Sequence, residues 1–73
     1  NLVSELSRYK ININTVAPGA TLTERTLDDP EYHKTWSKIT PLGRPASTLD
    51  IANAVLFLAS EQAKHITGQS LIV

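Results

Sequence analysis

Two short runs of strand-forming residues govern what this chain can fold into. The first is Ile11, Ile13, Thr15, Val16 and Ala17, interrupted by Asn12 and Asn14 and stopped by Pro18-Gly19; the second is Gln69 to Val73. Between them the apolar residues recur at helical spacing. The order helix, strand, helices, strand, with apolar runs in both strands, predicts an α/β arrangement in which a right-handed crossover joins two parallel strands.

The chain opens on Leu2, Val3 and Leu6 among Ser4, Glu5, Ser7 and Arg8, an apolar stripe that reads as the last turns of a helix. Asn1 can cap a short helix, but so few residues do not sustain one alone. After the Pro18-Gly19 turn, Thr21 to Ile39 reads as two short helices with a break at Asp28-Asp29-Pro30, because proline is tolerated in a first helical turn and not in an interior. Thr40 to Pro45 reads as a loop. Ser47 and Asp50 form a capping-box-like pair ahead of a helix running to Ser60, whose Ile51, Ala54, Val55, Leu58 and Ala59 are joined by Ala52, Leu56 and Phe57. Apolar residues reach almost round that helix, so it is expected to be buried on more than one side. A helix with no beginning and a last strand with no following turn lead to the expectation that the chain is a piece of a larger α/β protein.

Its 73 residues lie near the lower limit at which one core stabilises a domain. The absence of cysteine removes disulfides and thiolate-metal sites, and His33 and His65 stand far apart, so no metal site is expected. Seven basic residues balance seven acidic ones and are scattered, which argues against a nucleic-acid or anionic-membrane partner and for a small neutral one. No apolar run of membrane-spanning length and no targeting motif is present, and the default expectation is a cytoplasmic location.

Five blocks then occur in order: Ile13-Asn14-Thr15-Val16-Ala17-Pro18-Gly19 followed by Thr23; Pro41-Leu42-Gly43-Arg44-Pro45; Asp50-Ile51-Ala52; Phe57-Leu58-Ala59-Ser60; and Ile66-Thr67-Gly68-Gln69. Together they resemble the C-terminal part of short-chain dehydrogenases/reductases. The resemblance implies that residues 1–73 are the C-terminal segment of a single Rossmann-like domain, a doubly wound parallel sheet, with no complete domain present. It implies NAD or NADP as cofactor and hydride transfer between the nicotinamide and a small carbonyl or alcohol substrate. It places Pro18 and Gly19 beside the nicotinamide ring, and assigns the carboxamide to backbone groups of Thr21 and the hydroxyl of Thr23. An amide offers donors and an acceptor, which a backbone pair and one hydroxyl can satisfy. The same resemblance implies a substrate lid after the turn, and a homo-oligomer, a tetramer, in which the last helix and strand form one twofold interface.

Two positions depart from the family pattern. Thr21 stands where an aliphatic residue is more frequent, which a backbone contact should survive, and Lys10 stands where a glycine often ends the preceding helix. No catalytic residue is assigned. The family's general acid/base is a tyrosine with a lysine four residues on, but Tyr9 is followed at that spacing by Ile13 and Tyr32 by Trp36. The glycine-rich phosphate turn is absent too, since the glycines are Gly19, Gly43 and Gly68.

Other readings compete with these. Thr21 and Thr23 can serve simply to cap the helix after the turn. Tyr32 and Trp36 can be ordinary packing on one helix face or part of the lid. His33 reads as solvated, and Arg44 as a structural anchor for its loop through backbone carbonyls or a carboxylate. At the level of function, the alternative is a family member without catalytic residues that acts as a binding or assembly module.

Overall fold

The strand-forming runs are shorter in space than in sequence. In the computed structural model, which describes residues 1–73, β1 is Thr15–Ala17 and pairs in parallel with β4, Ser70–Ile72, in the register Thr15 with Ser70 through Ala17 with Ile72. The crossover expected from the element order is therefore present. Residues Asn12 to Asn14, ahead of β1, are held by side chains. The Asn12 amide donates to the Lys64 carbonyl (2.8 Å), the Ile13 N–H to the Thr67 hydroxyl (3.0 Å), and the Asn14 amide to the Ile66 carbonyl (3.0 Å). Asn14 also accepts the Gln69 N–H at 3.0 Å, so its side chain closes a two-bond clamp between the approaches to β1 and β4.

The opening helix α1 spans Leu2–Ser7, with the Asn1 side chain accepting the Ser4 N–H at 2.8 Å. It ends in a left-handed residue, Lys10, at φ 59°. The Lys10 N–H reaches the Ser7 carbonyl and the Ile11 N–H the Leu6 carbonyl (3.0 and 3.2 Å), the bond pair of a Schellman turn. That turn explains why a glycine suits this position: a Cβ at positive φ crowds the following carbonyl.

The turn after β1 leads to β2, Thr21–Leu22, which pairs in parallel with β3, Ala46–Ser47, in the register Thr21 with Ala46. The sequence reading assigned Thr21 and Leu22 to a helix and did not find this pair; two residues are too few to show an alternating pattern. Two helices follow as expected, α2 at Glu24–Leu27 and α3 at Pro30–Ile39. Asp29 caps α3 by accepting the Glu31 N–H at 3.0 Å, and Pro30 occupies the first helical position, where its missing N–H costs nothing.

Helix α4 spans Thr48–Leu58, shorter than the expected run to Ser60, and a single 3₁₀ turn at Glu61–Ala63 follows. Its N-terminus is a reciprocal capping box: the Ser47 hydroxyl accepts the Asp50 N–H (3.1 Å), and the Asp50 carboxylate accepts the Ser47 N–H (2.9 Å). Ile51, Ala54 and Leu58 form its half-buried face, toward β1. The expectation of burial on more than one side does not hold within these residues, because Leu49 and Leu56 on the opposite side are each 65% exposed. No element among the 73 residues lies against that face. The molecule is accordingly elongated, 48 × 21 × 21 Å, with a radius of gyration of 15.6 Å against about 11 Å for a compact domain of this length. Pro45 and Ala63 are its fully buried residues.

Candidate functional site

Residues Pro18 to Thr23 form one continuous segment between β1 and α2, so the candidate cofactor residues are adjacent in space as well as in sequence. Pro18 follows the last residue of β1. Gly19 donates its N–H to the Val73 carbonyl at 2.8 Å, and a Cβ at this position would sit 3.1 Å from that same oxygen. Close backbone approach, not a positive φ, is what glycine permits here.

Thr21 presents its backbone amide edge away from the sheet. In the parallel ladder it is Ala46 that bonds across to the residues flanking Thr21, with the Ala46 N–H donating to the Ala20 carbonyl at 2.9 Å. Both backbone groups of Thr21 are met by side chains from the following helices. The Thr21 N–H donates to the Tyr32 hydroxyl at 3.2 Å, and the Thr21 carbonyl accepts from the Thr26 hydroxyl at 3.0 Å. The Thr21 hydroxyl donates to the Gly19 carbonyl at 3.0 Å, which tightens the turn.

Thr23 begins α2, but the helix is capped chiefly by Thr26, whose hydroxyl oxygen accepts the Thr23 N–H at 2.7 Å. The exposed Thr23 hydroxyl faces the Thr26 N–H in the reciprocal capping box and lies 3.4 Å from the Thr26 hydroxyl oxygen. Sequence reasoning missed Thr26, although its spacing three residues after an N-cap threonine carries a capping signal. It also missed what Tyr32 touches. The Tyr32 and Trp36 rings do pack on one helix face, with centroids 6.2 Å apart and planes tilted by 48°, while the Tyr32 hydroxyl reaches back to β2.

A cleft of about 570 Å³ opens beside the turn. Gly19, Ala20 and Val73 line it together with the apolar Trp36, Ile39 and Leu42. Arg44 also lines the cleft, and its guanidinium donates to the Pro45 carbonyl (3.0 Å) and to the Asp50 carboxylate (2.9 Å). Both anchors expected for Arg44 are thus present. The Ser47 N–H, and next the Arg44 guanidinium, draw the Asp50 carboxyl down from 3.8 to about 2. Asp50 therefore stays ionised as cap and ion-pair partner, and nothing suits it to proton transfer near neutral pH.

No group of three or more His, Asp or Glu residues is placed to hold a metal ion, and no helix is long and apolar enough to cross a membrane. His33 lies exposed on α3 with the Ser37 hydroxyl 3.4 Å from its ring nitrogen Nδ1. Tyr9 is exposed, with the Arg8 guanidinium 5.7 Å from its ring centre.

These features agree with comparisons to known proteins. The chain is 43% identical over 75 residues to glucose 1-dehydrogenase of Gluconobacter oxydans, a match that takes in 99% of this chain and 28% of that protein. The crystal structure of 3-oxoacyl-[acyl-carrier protein] reductase from Brucella melitensis superposes with a TM-score of 0.92 at 33% identity, over 99% of this chain and 27% of the other. A short-chain dehydrogenase family protein from Francisella tularensis gives 0.84 at 31% identity, over 99% of this chain and 35% of the other. The chain thus spans between about a quarter and about a third of the length of these relatives. A family model described as enoyl-(acyl carrier protein) reductase matches residues 1–73 in full, and the chain belongs to the short-chain dehydrogenase/reductase family, with the Rossmann-like α/β fold of its relatives.

Proposed function

We propose that residues 1–73 are the C-terminal segment of a single Rossmann-like domain in an NAD(P)-dependent oxidoreductase, and that Pro18, Gly19, Thr21 and Thr23 form its nicotinamide side. The observation that carries this reading is the Thr21 amide edge. It turns one donor and one acceptor out of the sheet, where they are met by exchangeable side-chain hydroxyls, beside the Pro18-Gly19 turn and close to the exposed hydroxyl of Thr23. A primary carboxamide needs that set of partners: an N–H for its oxygen, a carbonyl for its NH₂, and a hydroxyl able to serve either.

The nicotinamide, when bound, supplies or accepts the hydride exchanged with a carbonyl or alcohol substrate. The chain's own residues bind and orient. Two backbone contacts at Thr21 and one at the Thr23 hydroxyl define which ring face is presented, with the Pro18-Gly19 turn beside the ring. Helices α2 and α3 serve as substrate cover, with Trp36 of α3 lining the cleft beside the turn. Proton transfer to the substrate belongs to residues outside this segment, since neither tyrosine here has a lysine four positions on. The outer face of α4, with Leu49 and Leu56, and β4, with Ile72 81% exposed, suit a subunit interface of a homo-oligomer, which we place at a tetramer.

Replacing Thr23 by alanine in the intact protein tests the assignment. Loss of one hydrogen bond weakens NADH or NADPH binding by about three- to tenfold. Unchanged cofactor affinity and turnover would mean that Thr23 only starts α2.

A further inference from the structure

Both backbone groups of Thr21 are already spoken for. The Tyr32 hydroxyl oxygen accepts the Thr21 N–H at 3.2 Å, and the Thr26 hydroxyl donates to the Thr21 carbonyl at 3.0 Å. One acceptor and one donor, presented side by side, are what a carboxamide brings to the same edge. The geometry points to a self-occupied site: the α2–α3 segment caps the Thr21 edge with Tyr32 and Thr26, and nicotinamide binding exchanges those two bonds for its own. This rests on the assignment of Thr21 to the carboxamide made above.

Tyr32 is well placed to act as the latch. It lies in the first turn of α3, where Pro30 and the Asp29 cap fix the helix start, and the Asp29 carboxylate also lies 3.4 Å from the Tyr32 N–H. The ring leans on Trp36, so the hydroxyl is directed back to β2 by packing as well as by its hydrogen bond. A single bond of this kind is weak enough to exchange, yet it lowers apparent cofactor affinity by the fraction of molecules in which the edge is closed. It also couples the two events: cofactor arrival releases the Tyr32 hydroxyl from β2 and frees α3, the helix that carries Trp36 into the cleft wall.

The test compares wild-type and Tyr32→Phe forms of the intact protein in titrations with NADH, NADPH, and ADP-ribose or its 2′-phosphate, which lack only the nicotinamide of NADH and NADPH respectively. Phenylalanine keeps the ring packing on Trp36, and a thermal melt of each form establishes that it is folded. The latch predicts that the variant binds the preferred dinucleotide about three- to tenfold more tightly, with ADP-ribose affinity unchanged. An equal gain for ADP-ribose would overturn it, because the effect would then not arise at the nicotinamide. Unchanged or weaker dinucleotide binding by the variant, with normal binding by wild type, would overturn the latch and leave the carboxamide assignment standing. Failure of wild-type protein to bind either dinucleotide would overturn the assignment and the latch together.

Discussion

Replacing Asn14 by alanine should destabilise the intact protein by about 1–3 kcal/mol, since two hydrogen bonds are lost, one of them part-buried. The magnitude follows from the clamp. The Asn14 side chain donates to the Ile66 carbonyl and accepts the Gln69 N–H, each at 3.0 Å, and the residue is half-buried. Asn12 provides the internal control. Its amide makes one exposed bond, to the Lys64 carbonyl at 2.8 Å, so Asn12→Ala should cost only about 0.5–1 kcal/mol. Urea unfolding of wild type and the two variants, followed by circular dichroism, gives both values as shifts in midpoint at constant slope. If Asn14→Ala costs no more than Asn12→Ala, the pairing of β1 with β4 does not depend on the clamp and the reasoning fails.

Three further outcomes can be checked with similar measurements. Lys10→Gly should stabilise by about 0.5–1 kcal/mol, because relief of a left-handed residue is worth about 1–2 kcal/mol and glycine's extra unfolded-state freedom returns about half of it; a fall in the urea midpoint would refute the Schellman turn. Gly68→Ala should destabilise by about 1–2 kcal/mol, since φ is 72° there and a Cβ would come 3.2 Å from the Val3 side chain; a neutral result in the same unfolding assay would show that this contact yields freely. Asp50 has a lowered pKa in the fold, so its stabilising contribution is complete above its ordinary value of 3.8 and is lost as pH falls toward about 2. The difference in melting temperature between wild type and Asp50→Asn should therefore narrow over that window, and a difference independent of pH would refute the role of the charge.

Local rules were legible wherever a side chain's chemistry dictates its own neighbourhood. Asp29-Pro30 marked the start of α3, and Ser47 with Asp50 marked that of α4, because capping is decided within four residues. The parallel crossover followed from the order of elements. The β2–β3 pair did not, since two-residue strands carry no period and their pairing joins residues far apart in the chain. Asn12 and Asn14 looked like interruptions of a strand and are instead its attachment to the segment before β4, a role visible only once Lys64 to Gln69 lie alongside. The second apolar face of α4 was legible in Leu56, and Leu49 adds to it in the structure, but what covers it was not legible, because no element of this chain packs there. At the candidate site the motif located Pro18, Gly19, Thr21 and Thr23, whereas Thr26 and Tyr32 meet the Thr21 edge through contacts that no spacing rule announces.

A crystal structure of the intact protein with its dinucleotide bound decides whether the Thr21–Thr23 edge is the nicotinamide side. Carboxamide atoms are expected at hydrogen-bond distance, about 2.7–3.2 Å, from the Thr21 N–H and carbonyl and from the Thr23 hydroxyl, with the Tyr32 hydroxyl withdrawn from Thr21. A bound nicotinamide lying elsewhere, with the Tyr32 and Thr26 contacts to Thr21 still in place, would contradict it.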